Sequence, residues 1–238
     1  MAEPEAVKTV ATIQTLWPDI SKQRRDATLF REGETTDKME NNSNKRPEYK
    51  KREAWIEKIR NLCMEESKHT GIYPSVTIAM SILESADGTS NLALNHYNFF
   101  GMTMKSEGSV LIFWDGTSYQ KKKATDGIYA DYTQAGSYDA GFVMSLRHFG
   151  MNFWITGQYA LNGVLDHVSK GLSKAAVRSD AIRQLKQIVP IYAPGFLTYE
   201  AVIIKLIDNH ELWKYDEEFV ADGGWDGSAP YPSITRSM

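Results

Sequence analysis

From Ala54 onward the apolar positions fall at helical spacing. Trp55, Ile59, Leu62 and Cys63 recur at intervals of four, three and one, which predicts a helix stopped by Gly71. Pro74-Ser75 opens a second helix, SVTIAMSILES, which Asp87-Gly88 ends. Between Gly108 and Tyr132 the period shortens. SVLIFW reads as a strand, Asp115-Gly116 as a hairpin turn and TSYQKKK as the return strand, with a second turn at Asp126-Gly127. After Gly136 the helical spacing resumes in four runs. The first carries Phe142, Leu146 and Phe149, and the second Leu161, Val164, Leu165 and Val168. The third carries Ile182, Leu185, Ile188 and Val189 and is closed by Pro190, and the fourth carries Val202, Ile203, Leu206 and Ile207. The stretch after Asp216 is rich in turn residues and reads as irregular. No segment repeats. The pattern is that of an α+β, mainly helical domain with one small β-hairpin lobe.

Ahead of this body the composition changes. Between Ser21 and Glu53, seventeen of thirty-three residues are charged, too few apolar groups to offset the entropy of ordering. Residues 1–53 therefore read as a polar N-terminal arm, either a flexible leader or a segment that orders on a partner, with Trp17, Pro18 and Ile20 as anchors. Residues 54–216 form the body and 217–238 a tail. A net charge of −3 gives no bulk drive toward nucleic acid or an anionic membrane. No apolar run approaches the ~20 residues of a membrane span. The start, MAEPEAVKTVATIQ, lacks the basic and apolar regions of a secretory signal, so synthesis in a cytoplasm is expected. The single cysteine, Cys63, excludes an intrachain disulfide and lies on an apolar stripe. The five histidines show no ligand pair at metal spacing, and neither a metal nor another cofactor is expected.

Glu84 is the residue out of place. It follows Val76 and Met80 at spacing four on a helix that is apolar nearly all round, so its carboxyl shares a row with core side chains. A carboxylate in a core is costly. The helix dipole's negative end and nearby Asp87 both favour its protonated form, the state a general acid needs. An outward-turned Glu at a frayed helix end, or a buried partner for a basic residue, would share this spacing.

The spaced motifs of residues 55–215 resemble the glucosaminidase family of peptidoglycan hydrolases (glycoside hydrolase family seventy-three). They begin with Gly71-Ile72-Tyr73-Pro74-Ser75-Val76, the helix Ala79 to Ser85, and Gly88-Thr89-Ser90. The box Asn98-Phe99-Phe100-Gly101-Met102 and the step Tyr129-Ala130-Asp131-Tyr132 follow. Ser137-Tyr138-Asp139-Ala140-Gly141-Phe142 and the late Ile191-Tyr192-Ala193 with Tyr199 complete the set. The resemblance implies a lysozyme-like fold with a sugar groove between helices and β-lobe, and Glu84 as general acid. It implies Tyr192 as a group orienting the substrate, and Asn98, Phe100, Tyr129, Tyr132 and Tyr199 as groove residues. The family's second carboxylate maps nearest to Asp115, with Asp126, Asp131 and Glu107 as lesser candidates. Three departures stand out. Glu84-Ser85-Ala86-Asp87-Gly88 replaces the family's E-S-G-W-G, Asp115 is shorter than the usual Glu, and Tyr192-Ala193-Pro194-Gly195 lacks a late acidic residue.

The implied activity is hydrolysis of a β-1,4 glycosidic bond of peptidoglycan, endo-β-N-acetylglucosaminidase in type. The nucleophile is either water held by Asp115 or the substrate's own acetamido group. A lytic transglycosylase shares the acid but usually carries a Gly-Leu-Met-Gln box, which is missing here. A wall-binding virion module without catalysis is the reading from another class. A wall enzyme without a signal fits a phage tail or other virion-associated lysin docked through residues 1–53, with an endolysin as the runner-up. The expected partners are glycan strands and virion proteins.

Overall fold

The computed structural model describes residues 47–104, 107–154, 174–195 and 198–225. The chain divides into Met1–Arg46 and Pro47–Met238, and every described residue belongs to the second unit. In chain order its elements are α1 (Pro47–Thr70), α2 (Pro74–Ser85) and α3 (Asn91–His96), then strands β1 (Val110–Ile112) and β2 (Ser118–Gln120). A 3-10 turn (Thr133–Ala135) leads into α4 (Tyr138–Trp154), α5 (Lys174–Tyr192), α6 (Tyr199–Asn209) and α7 (Trp213–Ala221). The fold is mainly helical with one small antiparallel hairpin, as the patterning predicts.

Helix α2 is the centre of the body. It packs against α1, α5, α6 and α7, and every residue from Pro74 to Ile82 is buried. Three of its polar side chains bond back onto the helix itself: Thr77 donates to Pro74 O (3.0 Å), Ser81 to Ile78 O (2.8 Å) and Ser85 to Ser81 O (2.6 Å). The first turn has no side-chain cap of its own. Distant residues supply one. Tyr73 N–H donates to Gln184 Oε1 of α5 (2.9 Å) and Ser75 N–H to Asp216 Oδ1 of α7 (2.8 Å).

Beside α2, an aromatic cluster joins three segments. Trp55 stacks on Phe99, Phe99 packs against Phe142, and Phe100 stacks on Phe149. Cys63 lies fully buried, and burial pushes its thiol up to about 12, so it is a core residue. In the hairpin, Val110, Leu111 and Ile112 pair with Gln120, Tyr119 and Ser118. The opposed Leu111 and Tyr119 are its buried face. Two three-residue strands are marginal alone, and isolated bridges Thr103–Tyr129 and Lys123–Ala130 extend the lobe.

The structure departs from the sequence expectations at four places. α1 begins at Pro47, inside the stretch read as a polar arm, because residues 51–53 bond to the body: Lys51 to Thr89, Arg52 to Asp87, Glu53 to His210. α7 occupies part of the expected irregular tail, since Leu212, Tyr215, Phe219 and Val220 are buried at helical spacing. α3 is short and opened by Ser90, whose hydroxyl accepts from Ala93 N–H. Pro190 does not close α5 but lies in its last turn, where buried Ile188 and Val189 hold the helix on the core. The predicted helix at Leu161, Val164, Leu165 and Val168 falls outside the described residues.

Candidate active site

Along the row Val76, Met80, Glu84 the first two side chains are fully buried and Glu84 is half-buried. The last turn of α2 thus carries its carboxyl out of the core to an edge, not into the fully apolar seat expected from the spacing. Tyr199, the first residue of α6, donates its hydroxyl to Glu84 Oε1 at 2.7 Å. Gly101 faces the other oxygen: a Cβ built there would stand 3.1 Å from Glu84 Oε2 and 3.6 Å from the Tyr192 hydroxyl. The Tyr192 hydroxyl, from the end of α5, donates to Phe100 O, and its ring lies 6.0 Å from that of Tyr199. Glu84, Gly101, Tyr192 and Tyr199 therefore meet at one place from four segments of the chain. Asp87, expected to load Glu84 with a like charge, is engaged instead by Arg52, with Nε to Oδ1 at 2.9 Å.

Asn98 shapes this place without lining it. It is fully buried, donates to Met102 O (2.9 Å) and Ala130 O (3.0 Å), and accepts from Met102 N–H (3.0 Å). Those bonds close the tight loop carrying Gly101, whose φ of 57° favours glycine. The Phe100 ring is fully buried against Phe149, so only its carbonyl reaches the site. Tyr132 is a correction. Its ring is fully buried and its hydroxyl lies 2.6 Å from His148 Nδ1, which makes it core rather than a stacking wall. Burial drives His148 down to about 3, so its ring is neutral. Tyr129 remains half-buried at the bridge to Thr103, on the strip leading away from Gly101.

Asp115 lies in the hairpin turn with both oxygens engaged. Oδ1 accepts from Thr117 N–H (2.9 Å) and the Thr117 hydroxyl (2.6 Å), and Oδ2 accepts from Arg147 Nη1 (2.7 Å). Partial burial raises the Asp115 carboxyl, yet those Thr117 and Arg147 bonds outweigh it and hold the group below its usual range. Arg147 also forks onto Glu66 of α1, Nε to Oε2 at 3.0 Å and Nη2 to Oε1 at 2.9 Å, and its guanidinium lies 4.5 Å from the Trp114 ring. Burial lifts Glu66 to about 7 against the pull of Arg147. The sequence reading missed this clamp, although Glu66 follows Ile59 and Cys63 on the α1 stripe and was marked by the same pattern as Glu84.

Of the lesser carboxylates, Asp126 caps its own turn by accepting from Ile128 N–H, and Asp131 binds Thr133, His96 and Lys122. Glu107 accepts from Lys123 N–H. Among the described residues, no group of three or more His, Cys, Asp or Glu could hold a metal ion, and no helix is long and apolar enough to cross a membrane.

A half-buried carboxyl fixed by a tyrosine hydroxyl beside a bare glycine, on a helical body with a hairpin lobe, is an arrangement suited to acid catalysis of glycoside cleavage. The glucosaminidase family model, described as mannosyl-glycoprotein endo-beta-N-acetylglucosaminidase, matches residues 60–212, and the chain belongs to this family of glycoside hydrolases. A probable N-acetylmuramidase of Lactococcus lactis subsp. lactis (strain IL1403) is 32% identical over 103 residues, 41% of this chain and 23% of that protein. The probable N-acetylmuramidase of Lactococcus lactis subsp. cremoris matches to the same extent. The matched stretch is thus about a quarter of those relatives' length. Among solved structures, the catalytic domain of the autolysin Auto from Listeria monocytogenes is 21% identical, covering 82% of this chain and 96% of that one, with a TM-score of 0.42. An N-acetylmuramoyl-L-alanine amidase from Staphylococcus aureus is 20% identical, covering 79% of this chain and 53% of that one, with a TM-score of 0.48.

Proposed function

We propose that the chain hydrolyses β-1,4 glycosidic bonds of the peptidoglycan glycan strand, with Glu84 as the general acid. The observation that carries this reading is the Tyr199–Glu84 bond at 2.7 Å beside Gly101. Tyr199 orients the carboxyl through Oε1, and Gly101 sets no side chain against Oε2, which makes Oε2 the oxygen assigned to pass a proton to the glycosidic oxygen. The bond to that oxygen breaks as the proton arrives, and positive charge develops at the anomeric carbon. Asp115 is occupied by Thr117 and Arg147 as a turn clamp, which favours the substrate's own acetamido oxygen as the group that attacks that carbon. Water then opens the resulting ring and restores the acetamido group.

Substituting Glu84→Gln keeps the shape and the Tyr199 contact but removes the acid. It should lower kcat on purified peptidoglycan by about 10²–10⁴-fold. A variant that still clears a peptidoglycan zymogram at the wild-type rate removes Glu84 from this role. Reducing-end analysis of the products reports the bond: terminal N-acetylglucosamine for the activity in the family's description, terminal N-acetylmuramic acid for the activity in the lactococcal relatives' name. An anhydro end would identify a lytic transglycosylase. We place the enzyme in a phage particle, docked through its charged N-terminal segment, a reading supported by the dense mixture of charges in residues 21–46.

A further inference from the structure

The turn that ends α2 holds three consecutive residues in the left-handed region: Ala86 (φ 51°), Asp87 (φ 57°) and Gly88 (φ 73°). Two of the three carry a Cβ, which that conformation disfavours. Ala86 stands where the resembled pattern has a glycine, so the strain is particular to this chain. The turn is closely bonded to the helix end. Ala86 N–H and Asp87 N–H both donate to Ile82 O, and Ser90 N–H donates to Ser85 O (2.8 Å). Gly88 N–H donates to Ser85 Oγ, also at 2.8 Å. Gly88 cannot shift toward α1, because a Cβ there would already lie 2.5 Å from Trp55. Glu84 and the strained turn are therefore one hydrogen-bonded piece.

Side chains from two helices fasten this piece: Tyr138 of α4 donates its hydroxyl to Gly88 O, and the first turns of α1 hold the residues on either side of it. Arg52 forks onto Asp87, with Nε to Oδ1 at 2.9 Å and Nη2 to Oδ2 at 3.3 Å, and Lys51 donates to the Thr89 hydroxyl at 2.8 Å. Arg52 is 21% exposed and Asp87 9%, so the pair is largely withdrawn from water, where a forked guanidinium–carboxylate bond is strongest.

We propose that Arg52 and Asp87 form a brace that holds the strained turn in place and so sets Glu84 against Tyr199. They are positioning residues, and the proposal rests on Glu84 being the general acid. Tyr199 belongs to α6, so the Glu84–Tyr199 bond survives only while the end of α2 keeps its position relative to α6. Without the fork, residues 86 and 87 relax toward right-handed φ, the last turn of α2 rotates, and the carboxyl leaves Tyr199. The groups that would line the groove are not moved, so the loss falls on kcat and not on KM.

The test uses the full chain on purified peptidoglycan, reading kcat and KM from reducing ends released. Arg52→Met should lower kcat by about tenfold or more, the scale expected for a small misplacement of a catalytic group, with KM unchanged. Arg52→Lys should retain an intermediate rate. Ala86→Gly relieves the strain that the brace opposes: alone it should leave kcat unchanged, and combined with Arg52→Met it should restore most of the lost rate. If circular dichroism shows Arg52→Met unfolded at the assay temperature, Asp87→Asn carries the same expectation with a smaller loss. A wild-type kcat in Arg52→Met, a loss borne by KM, or a loss that Ala86→Gly fails to restore overturns the brace. Glu84→Gln separates the two ideas: an active Glu84→Gln defeats the acid assignment itself, whereas an inactive one beside an undiminished Arg52→Met defeats the brace alone.

Discussion

Ala86 carries a methyl group at φ 51°, where a glycine would sit without strain. Ala86→Gly should therefore raise the unfolding free energy by about 1 kcal/mol, read as a higher urea midpoint with an unchanged slope. Arg147 makes the opposite case. It joins α4 to Glu66 on α1 and to Asp115 and Thr117 in the hairpin turn, and Glu66 is only 5% exposed. Arg147→Met leaves that carboxyl buried without its partner and should cost about 3–5 kcal/mol. Combining it with Glu66→Gln should recover part of the loss, which a double-mutant cycle in thermal unfolding would measure. At this scale the sequence is legible where a residue contradicts its own helix face, as Glu84 does. It is silent where the partner arrives from elsewhere. Nothing near Asp87 in the chain announces Arg52, and nothing near Glu84 announces that a hydroxyl will come from Tyr199. Tyr132 shows the converse limit: a buried aromatic and a sugar-stacking one have the same letter and the same strand spacing.

Among the elements, α2 is held at its first turn by groups it does not own. Asp216 is fully buried, and burial raises its carboxyl to about 8 against the opposing bond from Ser75. A carboxyl whose folded value lies above its ordinary 3.8 keeps a proton that the unfolded chain releases. Its stabilising effect is whole below that ordinary value, declines as pH rises toward about 8, and is level beyond. Asp216→Asn keeps the oxygen that accepts from Ser75 N–H and has no proton to lose. It should therefore gain on the wild type as pH increases from 5 to 8 in urea unfolding. Glu66, shifted in the same sense, adds to the decline up to about 7, while His148, held down at about 3, opposes it below its ordinary 6.5. Helices α1, α2, α4, α5 and α6 are legible because each buries a long periodic stripe. α3 is a six-residue turn and α7 follows a stretch of mixed polarity, so their patterns are too short or too weak to stand out before packing is known.

For the whole molecule, the division at Pro47 bears on the docking reading. Removing residues 1–46 leaves Lys51, Arg52 and Glu53 on the body, so the truncated chain should keep its specific activity on peptidoglycan while its incorporation into particles fails. A truncated chain incorporated as well as the full one would end that reading. Removing residues 1–53 instead should also lower the rate, because the Arg52 brace goes with them.

The cap on α2 also sets a clock on biosynthesis. Its amide donors wait for Gln184 and Asp216, the latter 141 positions further along the polypeptide. While a ribosome is still translating the middle of the message, the emerging helix carries Glu84 but not its anchor. A chain made this way gains its fold only when α7 leaves the exit tunnel, so prematurely terminated products should be inactive fragments, open to proteolysis.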